Sequence, residues 1–208
     1  MTFDQPPKGR FNLRRKKGIF CLEIGEWFDS LKEVCTVEPI LKLLKNSELK
    51  VPYIHRDIST ESEFCYYIKK WSQSKHKDYP ILYLAFHGTS GSICIFNNDG
   101  KRLDYDIDNI FDKLKDKCKN RVIHIGSCSV LDIHGNKIRN YLKDSKATAI
   151  SGYKNDINWI NSTVLDLYYL SQLQGNSFTK SGLNAVKKRV LSNASKFCKE
   201  MNFCIKIK

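Results

Sequence analysis

Short apolar runs alternate along the chain with longer stretches in which apolar residues recur every three or four positions. Gly18-Ile19-Phe20-Cys21-Leu22-Glu23-Ile24 reads as a buried strand, and Val51-Pro52-Tyr53-Ile54-His55 as a second, its early proline suiting a strand start or an edge. Pro80 introduces a third run, Ile81 to His87, and Val122 to Cys128 gives a fourth. Ala147 to Gly152 is a fifth, and Phe203 to Lys208 alternates like a terminal edge strand. Helical spacing predicts helices over 37–44, 59–72, 106–118, 136–142, 158–173 and 178–197. Ser59 or Thr60 offers an N-cap for the second of these, followed by an acidic first turn. The glycine- and asparagine-rich stretch from Gly88 to Gly100 suggests a small hairpin around Ser92-Ile93-Cys94-Ile95-Phe96. Gly25 to Thr36 reads as a loop carrying Trp27 and Phe28.

Strands alternating with helices imply an α/β fold: three layers, α-β-α, around a mostly parallel central sheet of about six strands. The expected organisation is a mobile basic leader over residues 1–17 and a single domain over 18–208, with no internal repeat or linker. The chain of 208 residues, 41% hydrophobic and 12% aromatic, is rich enough in apolar side chains to build such a core. Its apolar runs fall short of the ~20 residues that cross a bilayer. No apolar segment follows the basic N-terminal residues as in a signal peptide, and a cytoplasmic protein with no membrane partner is expected.

Eight cysteines are present, but no Cys-x-x-Cys pair and no Cys/His cluster has metal-site spacing, so neither a metal nor another cofactor is expected. Most lie scattered in apolar or amphipathic segments, as reduced, buried thiols do. A net charge of +13 would draw the chain toward acidic partners, nucleic acid included. The lysines are nevertheless spread through nearly every predicted helix, and Arg14-Arg15-Lys16-Lys17 is the one dense cluster. A solvated basic surface is the preferred reading and nucleic-acid binding the minority one.

Two strands end at once in polar residues of catalytic type: Phe86-His87-Gly88 closes the third and Gly126-Ser127-Cys128 the fourth. In an open parallel sheet the carboxyl ends of adjacent strands form the crevice where chemistry is done. A thiol attacks as thiolate, and a neighbouring imidazole can take its proton and later return it to a leaving amine. The Gly88 and Cys128 backbone N–H groups are candidate donors to the oxyanion of a tetrahedral intermediate. Singly, a strand cysteine is usually core and a strand-end histidine usually a surface residue. Together, on consecutive long strands, they point to a nucleophile and its base.

These same residues resemble the caspase-like cysteine peptidases, a group that includes caspases, metacaspases, clostripain-like peptidases, separase and bacterial CHAT domains. The likeness covers roughly residues 18–175 and is nearest to small bacterial CHAT-like and caspase-like proteins, some encoded near defence systems. It implies a caspase-type fold, with His87 as base, Cys128 as nucleophile, and Gly88 with Cys128 as oxyanion donors. It also implies a protein or peptide substrate; a regulatory protein is a further candidate partner, though no sequence feature points to activation by one. The chain departs from many members at Gly126, two positions before the thiol, where an acidic or small polar residue is common.

Candidates for the substrate pocket are Asp156, Trp159, Ser127 and Glu26. Asp156 follows the fifth strand, where basic-specific relatives carry an acidic pocket residue; capping of the next helix is an equal reading. His124 reads as a satisfied histidine inside its strand, and His134 as a weaker rival for the base. Two functions from different classes stay open. One is a cysteine endopeptidase using a His-Cys dyad, in a bacterial defence or signalling context. The other is a catalytically silent module that binds a protein partner or nucleic acid.

Overall fold

The computed structural model describes residues 16–24, 27, 30, 32, 35–97 and 99–208. In chain order its elements are β1 (Ile19–Ile24), α1 (Glu38–Asn46), β2 (Tyr53–Ile58), α2 (Glu61–Ser72), β3 (Ile81–Ala85), β4 (Gly88–Thr89), β5 (Ser92–Phe96) and β6 (Arg102–Asp106). They continue with α3 (Ile107–Lys113), β7 (Val122–Ile125), α4 (Gly135–Ser145), β8 (Ala149–Tyr153), α5 (Trp159–Gln174), α6 (Lys180–Asn193), α7 (Ser195–Glu200) and β9 (Phe203–Ile207). A six-stranded sheet runs in the order β2-β1-β3-β7-β8-β9. All its neighbours are parallel except β9, which lies antiparallel on β8.

Alternation along the strands divides the core. Phe20, Leu22, Leu82, Leu84, Ile123 and Ile125 pack on one face against α2, α3 and α4. Ile19, Cys21, Ile81, Tyr83 and Val122 pack on the other against α1, α5 and α6. With both faces covered, the central strands read as nearly continuous apolar runs, as in other parallel sheets. The chain leaves β1 toward β2 and returns past it to β3, so the strand order reverses between β1 and β3. That switch point opens a crevice at the carboxyl ends of the two strands.

The α/β architecture and the six-stranded, mostly parallel sheet agree with the sequence pattern. Several local details differ from it, among them α3, read as running to Cys118 but ending at Lys113. The hairpin gains a third strand, because β6 pairs along β5 from Ser92↔Asp106 to Phe96↔Arg102 before Asp106 caps α3. The last long helix divides at Ala194, which has φ −114°. Just before it, Ser192 and Asn193 turn their side chains to one another and to Tyr168, a local alternative to continuing the helix. The second strand begins at Tyr53 rather than Val51. Thr60 caps α2 with Glu63 in a reciprocal capping box.

Of the expected leader, 1–15 lies outside the described residues. Lys17 is fastened to the end of α5, donating from Nζ to the Gln174 carbonyl at 2.8 Å and lying over the Phe178 ring. Among the described residues, no helix is long and apolar enough to cross a membrane.

Candidate active site

His87 and Cys128 line one cavity of about 180 Å³ at the switch point, with Trp27, Tyr83, Phe86, Gly126, Trp159 and Asp166 among its other walls. Local sequence explains why both side chains arrive there. The pairing of β3 with β7 ends at Leu84↔Ile125, and just beyond it Gly126 N–H donates to the Leu84 carbonyl at 2.8 Å. The two strands therefore finish level, and the residues that follow diverge together over the sheet edge. Ser127 ties the ends: buried, its hydroxyl accepts from Phe86 N–H at 3.2 Å.

The His87 ring is held by one hydrogen bond and one edge-on ring contact. Its Nε2 lies 2.8 Å from the Trp27 carbonyl oxygen, and its plane meets the Trp27 ring edge-on at 5.0 Å. A carbonyl only accepts, so Nε2 carries the proton. In the neutral ring Nδ1 then keeps its lone pair and is the basic nitrogen. The Cys128 thiol is half-buried and lies 3.9 Å from the Ile157 carbonyl. No hydrogen bond joins ring and thiol, as is common in a catalytic pair before substrate binds.

Gly88 is placed for close approach. A Cβ there would lie 2.7 Å from the Cys128 carbonyl oxygen and 2.3 Å from Val130 Cγ2, so only glycine lets β4 pack on this loop. Cys94 N–H donates to the His87 carbonyl at 2.8 Å, and Gly88 is paired with Ile93. In an antiparallel ladder this makes Gly88–Ile93 a non-hydrogen-bonded pair, and the Gly88 N–H points away from β5.

The position of His87 depends on a buried carboxylate in β1. Glu23 is fully buried and accepts from Trp27 Nε1, Val37 N–H and Thr36 Oγ1, each at 2.7 Å, and it meets His55 Nε2 at the same distance. Trp27 is thus pinned through its indole while its carbonyl holds His87. Glu23, His55 and Asp57 bring ligand atoms within 4.8 Å of one another. The Glu23 oxygens are already saturated by these donors, so the group reads as an ion-pair network of the fold.

Burial of the His55 ring works against its charge, but the hydrogen bond and charge of Glu23, with Asp57 and Glu38, outweigh it and raise its pKa above 6.5. A raised folded-state pKa gives stability that is complete below the unfolded value and is lost as pH rises through the folded one. Urea midpoints of the wild type are therefore expected to fall between about pH 6 and about pH 8 more steeply than those of His55→Gln. Parallel profiles for the two proteins would refute the linkage.

On the α5 side of the sheet, His124 is fully buried, stacks on Tyr83 at 5.3 Å and bonds Ser151 Oγ at 3.1 Å and Asp166 Oδ1 at 2.7 Å. It is a satisfied histidine, as its strand position suggested. His134 caps α4, bonding Asn136 N–H, and stands apart from the cavity. Of the pocket candidates, Trp159 lines the cavity and its buried indole N–H has no partner. Ser127 is instead consumed in joining β3 to β7. Asp156 is exposed, accepts from Ser129 Oγ at 2.7 Å and leaves the α5 cap to Asn158. Glu26 lies outside the described residues. The residue that sequence reasoning passed over is Asp166, 2% exposed and in the cavity wall. Its signal was present, since it is the one charged residue between Trp159 and Gln174 in an otherwise apolar helix.

No curated protein matches the chain in sequence. Among solved structures, the crystal structure of caspase-1 from Spodoptera frugiperda matches at a TM-score of 0.56 and 18% identity, over 99% of this chain and 93% of that one. At that identity the likeness is one of fold, and the fold is caspase-like. Residues 16–206 match the Family of unknown function (DUF6642), and the chain belongs to that family.

Proposed function

We propose that the protein is a cysteine endopeptidase of caspase-like type in which His87 and Cys128 form a catalytic dyad. The observation that carries this reading is their shared cavity at the sheet's switch point, with His87 Nε2 committed to the Trp27 carbonyl and Nδ1 left as the base. His87 Nδ1 takes the thiol proton as Cys128 Sγ bonds to the scissile carbonyl carbon. The Gly88 and Cys128 N–H groups receive the oxyanion. Collapse of the tetrahedral intermediate breaks the C–N bond, and the proton on His87 leaves with the amine. A water, deprotonated by the same nitrogen, then attacks the thioester. Its C–S bond breaks, the acid product departs, and the proton returns to sulfur. A protein or peptide is the substrate, and no metal or other cofactor takes part.

Peptide acyloxymethyl ketones test the reading directly, because they alkylate a thiol only where it is activated and a peptide can bind. Covalent labelling located at Cys128 by mass spectrometry, and lost in His87→Ala, is the expected result. Labelling confined to other cysteines would overturn the dyad.

A second reading has its own observation. At the opposite, amino-terminal end of the central strands a depression of about 610 Å³ is lined by Lys16, Lys17, Lys77, Lys117, Lys119 and Arg121, with Asp78 and Asp116 also in its wall. A catalytically silent module could bind nucleic acid or an acidic protein through that surface. Salt-sensitive retention on RNA or DNA without peptide cleavage would favour it.

A further inference from the structure

The cavity beside Cys128 has an acidic wall whose two oxygens are used unequally. Asp166 Oδ1 accepts from both His124 Nε2 and the Tyr153 hydroxyl, whereas Oδ2 accepts only from the Tyr83 hydroxyl, at 2.7 Å. Among the described residues, no lysine or arginine pairs with this carboxylate, and the histidine that does, His124, is committed to Oδ1. A carboxylate oxygen can accept more than one donor, so Oδ2 retains capacity.

The same oxygen lies beside the nucleophile's own strand. A Cβ on Gly126 would stand 2.9 Å from Asp166 Oδ2 and 2.6 Å from Tyr83 Cε2. Glycine two residues before Cys128 therefore leaves open the space that Oδ2 borders. A carboxylate delivered from α5 supplies negative charge in that space. The rest of the lining suits a long cationic side chain. Trp27, Tyr83, Phe86 and Trp159 give aromatic walls for an alkyl stem and for the face of a cation. The cavity, about 180 Å³, holds roughly six liquid waters' volume, room for one such side chain. The Trp159 indole N–H, buried and without a partner, is a donor in the same wall and suits an occupant that also carries a carbonyl oxygen, as a peptide does.

We propose that this cavity receives the side chain of a lysine or arginine immediately before the scissile bond, with Asp166 Oδ2 accepting from its ammonium or guanidinium group. This rests on the peptidase reading of His87 and Cys128 and assigns that site its substrate class. Asp166 is a specificity-determining residue here, and it takes no part in bond making or breaking.

The test has two arms on the full chain. In the first, carbamidomethylation of Cys128 by iodoacetamide is followed by mass spectrometry in the presence of butylguanidine or of its neutral counterpart 1-butanol. Butylguanidine is expected to slow the reaction, and 1-butanol to leave it unchanged. In the second, fluorogenic peptides carrying Arg, Lys, Asp or Leu before the reporter are compared. Arg and Lys are expected to be favoured over Leu by about a hundredfold in kcat/KM, and Asp166→Asn to erase most of that ratio. Because Asp166→Asn disturbs a buried network, the wild-type comparison of cation with alcohol stands without it. Equal protection by both small molecules, or preferred cleavage after Leu or Asp, overturns the cationic pocket and leaves the peptidase reading in place. Protection by the cation alone with no peptide cleaved upholds the pocket and overturns the peptidase reading.

Discussion

Cys128→Ala is expected to lower peptide hydrolysis by on the order of a thousandfold or more while leaving the fold intact. The structural side of this expectation follows from how little the thiol does for stability. It is half-buried, outside β7, and its one polar contact is a 3.9 Å approach to the Ile157 carbonyl. Removing one such sulfur atom belongs among substitutions that shift stability by about 0.5 kcal/mol or less. A large loss of turnover with an unchanged urea midpoint therefore separates chemistry from folding. His87→Ala should cost about 10²–10⁴-fold, the usual worth of a positioned base. The double variant should be no slower than Cys128→Ala alone, because a base with no nucleophile to activate contributes nothing. Additive losses would mean that the two residues do not act as a unit. Undiminished hydrolysis by Cys128→Ala would remove the nucleophile altogether.

The strand ends were legible because the signals there are short-range. β3 and β7 are apolar runs that stop abruptly at Phe86-His87-Gly88 and Gly126-Ser127-Cys128, and their parallel pairing follows from the β-α-β rhythm of the chain. Everything that equips the site came from longer range. The Trp27 carbonyl that fixes the His87 tautomer acts across 60 residues of sequence, and no side-chain pattern announces a backbone acceptor. Asp156 looked like a pocket residue by loop position, yet its carboxylate turns to Ser129. Asp166 sits on α5 and reaches the cavity only because that helix packs across Tyr83 and His124 on the sheet face. Likewise β6 was hidden by its charges: Arg102, Asp104 and Asp106 are exposed, while Leu103 and Tyr105 turn inward, a short period-two pattern beside a helix cap.

Glu23→Ala carries the second large expectation, a loss of about 3 kcal/mol of folding stability together with a fall in kcat. The carboxylate stands in a core strand with four donors converging on it, from Trp27, Thr36, Val37 and His55. Removal leaves the Val37 N–H, which is buried, and the Trp27 indole N–H without acceptors, each an unpaired group that costs about 1–3 kcal/mol. The kinetic effect follows from the same bonds. Once the indole is free, the Trp27 carbonyl no longer has a fixed position, and His87 Nε2 loses the partner that sets its ring and tautomer. Trp27 and Val37 also line the cavity and are held by Glu23, so KM should rise along with the fall in kcat. Glu23→Gln distinguishes positioning from charge. Its amide oxygen can still accept from Trp27 and Val37, while its NH₂ can donate to a neutral His55 ring. That variant should retain most of the turnover and lose the pH dependence of stability that His55 confers. If Glu23→Gln is as slow as Glu23→Ala, the negative charge itself, acting on His87 through the field of the site, is what the dyad requires.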